Sequence, residues 1–140
     1  MCGIAGFSLP DNYKASRDML VMCLFIDIIS RGQDASGIAW RHPTRGDIWV
    51  QKAALPADEF MACVDEVDLC KVQDMILHTR WATQGSPNEN ENNHPIDARG
   101  IVGVHNGTIS NDDAIFKMTG HKRHGEVDSV AIFSAFRHAR

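Results

Sequence analysis

Residues 2–8 (CGIAGFS) alternate small and apolar side chains, a period of two that predicts a strand beginning almost at the terminus. Pro10, Asp11 and Asn12 follow as a turn. Ser16 is placed to cap a helix whose residues Met19 to Ile29 are apolar on nearly every face, which predicts deep burial. That helix stops at Ser30-Arg31-Gly32. Gly37-Ile38-Ala39-Trp40 and Asp47-Ile48-Trp49-Val50 then flank a turn from Pro43 to Gly46 as a hairpin. Residues 57–64 read as a short helix, and Met75-Ile76-Leu77-His78 as a compact apolar strand leading into a polar segment from Thr79 to Asn93. With five Asn or Gln plus Gly85 and Pro87, that segment is expected to be a loop. Gly100 to Val104 reads as a buried strand ending at His105-Asn106-Gly107, and Asp112 to Met118 as a helix. A last helix starts near Asp128, with apolar residues at Val130, Ile132, Phe133 and Phe136.

Strands and helices in mixed order, without repeats or a linker, predict one layered α+β domain. The last helix runs to the end of the sequence without a capping glycine, so the domain is expected to be incomplete at its C-terminus. A length of 140 residues suits a single domain with a real core. A formal net charge of −4 and the absence of a basic stripe argue against nucleic acid as a partner. The longest apolar run, interrupted by Asp27, falls short of the roughly 20 residues a membrane span requires. With no leader-like N-terminus, a cytoplasmic location is expected. Cys2, Cys23, Cys63 and Cys70 are too few and too unevenly spaced for a disulfide framework and form no C-x-x-C pair. They are expected to be free thiols. His121 and His124 make only one close pair, so neither a metal nor a cofactor is expected.

Cys2 carries the most chemical information. Met1 before a small residue is of the kind normally removed, which leaves a cysteine whose thiol and α-amino group share one carbon framework. An unperturbed α-amino group titrates at about 7.7–8.0 and can take the thiol proton directly or through water. A carbonyl of the amide type is the natural target, giving a tetrahedral oxyanion and then a thioester. On position alone, Cys2 reads equally as a small residue in a terminal strand. Asn106 and Gly107 offer a side-chain amide and a backbone N–H to an oxyanion, and read otherwise as an ordinary turn. Arg80 and Asp128 are a cation and an anion suited to the two charges of a free amino acid, or else a surface ion and a helix cap. A buried Arg31 would orient the Cys2 backbone, while Asp34 can bond neighbouring N–H groups.

CGIAGF at 2–7, RGQDASGI at 31–38, HTRWATQG at 78–85 and HNGTISN at 105–111, with NHP at 93–95 and VDS at 127–129, occur in the order of class II glutamine amidotransferases. The chain resembles that family over nearly its whole length. RGQD is similar to the phosphoribosyl-pyrophosphate amidotransferase branch and RWAT to the glucosamine-6-phosphate synthase branch. The resemblance implies an N-terminal nucleophile hydrolase with a four-layer αββα sandwich, residues 1–140 being a truncated glutaminase domain without an acceptor domain. It implies Cys2 as nucleophile, its freed amine as base, Asn106 and Gly107 as oxyanion hole, and Arg31 as the arginine beside the catalytic cysteine. Arg80 and Asp128 would hold the glutamine carboxylate and ammonium, with Trp81 and Thr83 in the loop that closes over substrate. The expected partners are L-glutamine and an ammonia-acceptor domain or subunit, without nucleic acid or membrane, and an oligomer is compatible. The rival readings are an N-terminal nucleophile amidase for another amide and a non-catalytic glutamine-binding module.

Overall fold

The computed structural model describes residues 1–64 and 68–139. Strands β1 (Gly3–Ser8), β2 (Ala35–Arg41), β3 (Ile48–Ala53) and β4 (Asp74–Arg80) form an antiparallel sheet in the order β1-β4-β2-β3. β2 and β3 are the expected hairpin, and β4 enters between β1 and β2, so the two most thoroughly buried strands take the centre. Gly3 pairs with Thr79 in the β1–β4 register. Cys2 is thereby set against the C-terminal end of β4, where Arg80 lies.

Helices α1 (Arg17–Ile29) and α2 (Ala57–Ala62) cover one face of this sheet. Ser16 caps α1 as expected, its hydroxyl accepting the Met19 N–H at 3.2 Å. Val21, Phe25 and Ile28 recur on one side of α1 and pack with Phe60 against Ile38, Trp40, Met75 and Leu77. Burial of α1 on all faces is not observed. Met19, Met22 and Ile26 are 66%, 56% and 65% exposed, because a helix lying on a single sheet hides only one side.

The opposite face carries the segment before β5 (Ile96–Asp97), which pairs with β6 (Val102–Gly103) as a second, two-stranded sheet. A Cβ at Gly37 of β2 would lie 2.2 Å from the His94 carbonyl oxygen, so glycine alone permits this close crossing. Lys52 of β3 holds the same segment, its Nζ donating to the carbonyls of Asn93 at 2.6 Å and Pro95 at 3.0 Å. The strand expected over Gly100 to Val104 is only two residues long and half-buried, since Arg99 and Gly100 adopt φ of 56° and 92° to turn the chain. Helices α3 (Asp112–Thr119) and α4 (Val130–His138) form the outer layer. Val130 and Phe133 pack with Ile96 and Val127 in a second core, which Phe116 borders. Among the described residues no helix is long and apolar enough to cross a membrane.

Candidate active site

The ends of β1 and β4, the segment after β6 and the start of α4 converge on a cavity of about 410 Å³. Cys2, Arg80, Trp81, Thr83, Asn106, Gly107 and Asp128 all line it. These residues span the whole chain, so their meeting is a product of the β1–β4 register and of the Asp128 position at the head of α4.

Cys2 is half-buried. Its Sγ lies 3.4 Å from the Trp81 backbone N–H, which donates to it, and 3.7 Å from the Trp81 carbonyl. The Cys2 carbonyl accepts from Arg31 Nε and from Asn106 Nδ2, each at 3.1 Å. Arg31 thus touches the Cys2 backbone as anticipated, but it is exposed rather than buried. It lies on the surface turn after α1, where Gly32 takes the buried place against the Arg80 carbonyl. Asn106 commits one amide hydrogen to Cys2 and has a second.

Arg80 is 3% exposed. Its guanidinium donates to Asn93 Oδ1 at 2.8 Å and to the carbonyls of Gln84 and Gly85 at 2.5 and 2.9 Å. All three acceptors are neutral. Burial lowers the Arg80 pKa, opposed by the nearby Cys2, Asp34 and Glu126, and the group remains a cation at neutral pH. Asp128 is 7% exposed and accepts from the Ile109 N–H and, at 3.4 Å, from the Ser129 hydroxyl. That hydroxyl also contacts His105 Nδ1 at 3.1 Å. Among the described residues neither Arg80 nor Asp128 makes a salt bridge. Burying a charged group without a direct ion pair is costly, and here one group of each sign lines the same cavity.

The loop after β4 is held by polar side chains, of which Asn92 and Glu126 have no role in the sequence reading. Asp34 Oδ2 accepts the Ala82 N–H at 2.7 Å, reaching a distant segment rather than its own turn. Glu126 donates its N–H to Asn92 Oδ1 at 2.7 Å, and its Oε2 accepts from Asn92 Nδ2 at 2.9 Å and the Ser86 N–H at 3.2 Å. Asn93 Nδ2 donates to the Pro87 carbonyl at 2.6 Å. Asn92 and Asn93 are almost fully buried. In an Asn-rich polar run nothing marks which side chains turn inward, and Glu126 carries no motif.

His78 and His94 stack with ring centroids 4.5 Å apart, and their ring nitrogens have no hydrogen-bond partner among the described residues. Burial pushes His78 down to about 4 and His94 down to about 2. Both are therefore neutral packing groups at pH 7. The described residues contain no group of three or more His, Cys, Asp or Glu that could hold a metal ion.

No protein-family profile matches the chain. It is 36% identical over 137 residues to the glutamine–fructose-6-phosphate aminotransferase of Pyrococcus horikoshii, a match covering 94% of this chain and 22% of that protein. The enzyme of the same name from Gluconobacter oxydans is 37% identical over 116 residues, covering 79% of this chain and 17% of the relative. That of Helicobacter pylori is 29% identical over 124 residues, or 89% and 20%. The chain thus spans about a fifth of the length of the curated relatives it matches.

Proposed function

The chain belongs to the class II glutamine amidotransferases, and from that membership and the cavity we infer that it performs their glutamine-hydrolysing half-reaction. The single observation that carries this reading is that Arg80 and Asp128, both buried and neither in a salt bridge among the described residues, line one cavity with the Cys2 thiol. Glutamine complements all three. Its α-carboxylate pairs with the planar guanidinium, its α-ammonium with Asp128, and its side-chain amide reaches the sulfur.

Removal of Met1 frees the Cys2 α-amino group, which takes the thiol proton as sulfur attacks the amide carbon. The resulting oxyanion receives the remaining hydrogen of the Asn106 amide and the Gly107 N–H, donors of a type each worth about 3 kcal/mol of barrier. Collapse expels ammonia, which carries away the proton held by the amine, and leaves a thioester. Water deprotonated by the same amine attacks the thioester, releasing glutamate and restoring the thiol. Arg31 and Asn106 keep the Cys2 carbonyl fixed while its amine and sulfur act.

The succession of α1 and α2, the four-stranded sheet, the β5–β6 sheet, and α3 with α4 supports an N-terminal nucleophile αββα sandwich. The relatives are named for transfer of nitrogen to fructose 6-phosphate. A phosphorylated keto-sugar, bound by an acceptor domain or subunit, is accordingly the proposed destination of the ammonia, and the cytoplasm the proposed setting. The direct test is ammonia release from glutamine by the protein and by its Cys2→Ala variant. Release that is absent from the variant supports the reading, and equal release from both overturns it.

A further inference from the structure

The two charged walls of the cavity are joined by an unbroken run of hydrogen bonds that hydrolysis itself does not require. Arg80 donates to the Gln84 carbonyl at 2.5 Å, and Gln84 Nε2 donates to the Glu126 carbonyl at 2.7 Å, two residues before Asp128. A parallel route runs through adjacent asparagines. Asn93 holds the Arg80 guanidinium at 2.8 Å, while Asn92 exchanges two bonds with Glu126, at 2.7 and 2.9 Å. Asn92 is 1% exposed, so its amide must find these partners inside the protein. It is seated between Gly85 and Gly125, where an added Cβ would lie 2.7 and 2.9 Å from its side chain. Both glycines have φ of +75°, a conformation other residues rarely adopt, so the backbone is shaped around this one amide.

Resting on the glutaminase reading, we infer that Asn92 and Glu126 form a clasp that fixes the separation of Arg80 from Asp128 and so sets the length of amino-acid amide the cavity accepts. Glutamine and asparagine present the same zwitterion, but their amides sit one methylene apart. With both ends of the zwitterion held rigidly, only the longer side chain delivers its carbonyl to Cys2. With the clasp open, the loop bearing Gln84 and Gly85 relaxes from the 126–128 segment and the two charges lose their fixed spacing. Glu126 is a positioning residue in this account, since it touches the walls and not the substrate.

The test compares wild type, Glu126→Gln, Glu126→Asp and Glu126→Ala, with steady-state kinetics on glutamine and asparagine and with the rate at which iodoacetamide alkylates Cys2. Glu126→Gln keeps an oxygen for the Asn92 and Ser86 donors and is expected to stay within about twofold of wild type. Glu126→Ala is expected to raise KM for glutamine about tenfold and to lower the glutamine-to-asparagine preference by about the same factor, the effect of releasing bonds to a charged acceptor. Its alkylation rate should be unchanged. Glu126→Asp, which withdraws the carboxylate by one methylene and preserves the charge, should fall between them and serves if the alanine variant does not fold. An unchanged KM and preference in Glu126→Ala, or in Glu126→Asp where it stands in, overturns the clasp. So does Glu126→Gln matching Glu126→Ala, which would assign the effect to charge rather than geometry, or a parallel loss of alkylation, which would assign it to general disruption. A wild-type protein that releases no ammonia from glutamine overturns the underlying functional reading instead, and the clasp with it.

Discussion

The backbone N–H of Trp81 points at Cys2 Sγ from 3.4 Å, and the Trp81 carbonyl is 3.7 Å from the same atom. The two residues are 79 positions apart in sequence, and the pairing of Gly3 with Thr79 is what places them together. Trp81 is the first residue of the loop that borders the cavity, so the sulfur sits where that loop begins. Cys2→Ala should therefore eliminate ammonia release while leaving glutamine binding by calorimetry close to wild type. Binding lost together with activity would mean that the thiol holds the cavity open rather than reacting in it.

Arg80 and Asp128 should be separable by substrate analogues. Asp128→Asn is expected to raise KM for glutamine about tenfold to a hundredfold, the range for one lost charge-assisted bond, yet to leave little mark on glutamine lacking its α-amino group. Arg80→Lys should weaken both compounds, because a lysine offers no bidentate fork and cannot reproduce the bonds to Asn93, Gln84 and Gly85. Steady-state kinetics on the two substrates decides it.

Acid should destabilise the protein through the stacked histidines. Both rings titrate near 6.5 in the unfolded chain, but burial holds His78 neutral down to about 4 and His94 down to about 2. The unfolded state therefore binds more protons below pH 6.5. Stability is full above that pH and falls as pH drops through 6.5 toward 4, by up to about 1.4 kcal/mol per pH unit for each ring. Urea midpoints measured from neutral pH downward should show this slope, and His94→Phe should flatten it.

Lys52 works in the opposite range. Burial pulls its ammonium down to about 8 from an unfolded value of 10.5, against the attraction of Asp97 and Glu91. Between those values the unfolded chain retains a proton that the folded one has released, so this residue's contribution to stability rises with pH from about 8 to 10.5. Lys52→Met should remove that rise in a urea titration, although the bonds to Asn93 and Pro95 are lost at every pH.

The candidate site residues were legible because their motifs stand in the order of the class II glutamine amidotransferases, whereas each alone read equally as a strand residue, a turn, a surface ion or a helix cap. Cys2 follows a removable methionine in CGIAGF, Arg80 stands in HTRWATQG, Asn106-Gly107 in HNGTISN and Asp128 in VDS. The structure gathers all of them at one cavity. Asn92 and Glu126 stayed hidden because their role depends on the burial of Asn92 inside a polar loop, which periodicity does not register, and Asn93 stood out only as part of NHP. The same limit accounts for β6 and α1. Apolar content alone cannot show that Arg99 and Gly100 take positive φ and shorten the strand, or that one side of α1 has no layer to pack against.

Intact-mass spectrometry on protein that is releasing ammonia from glutamine is decisive, because hydrolysis by this route needs the amine of residue 2 as well as its sulfur. The active species should lack Met1, and a form that retains Met1 should be inactive. A Met1-retaining form that turns over glutamine at the full rate would contradict the account.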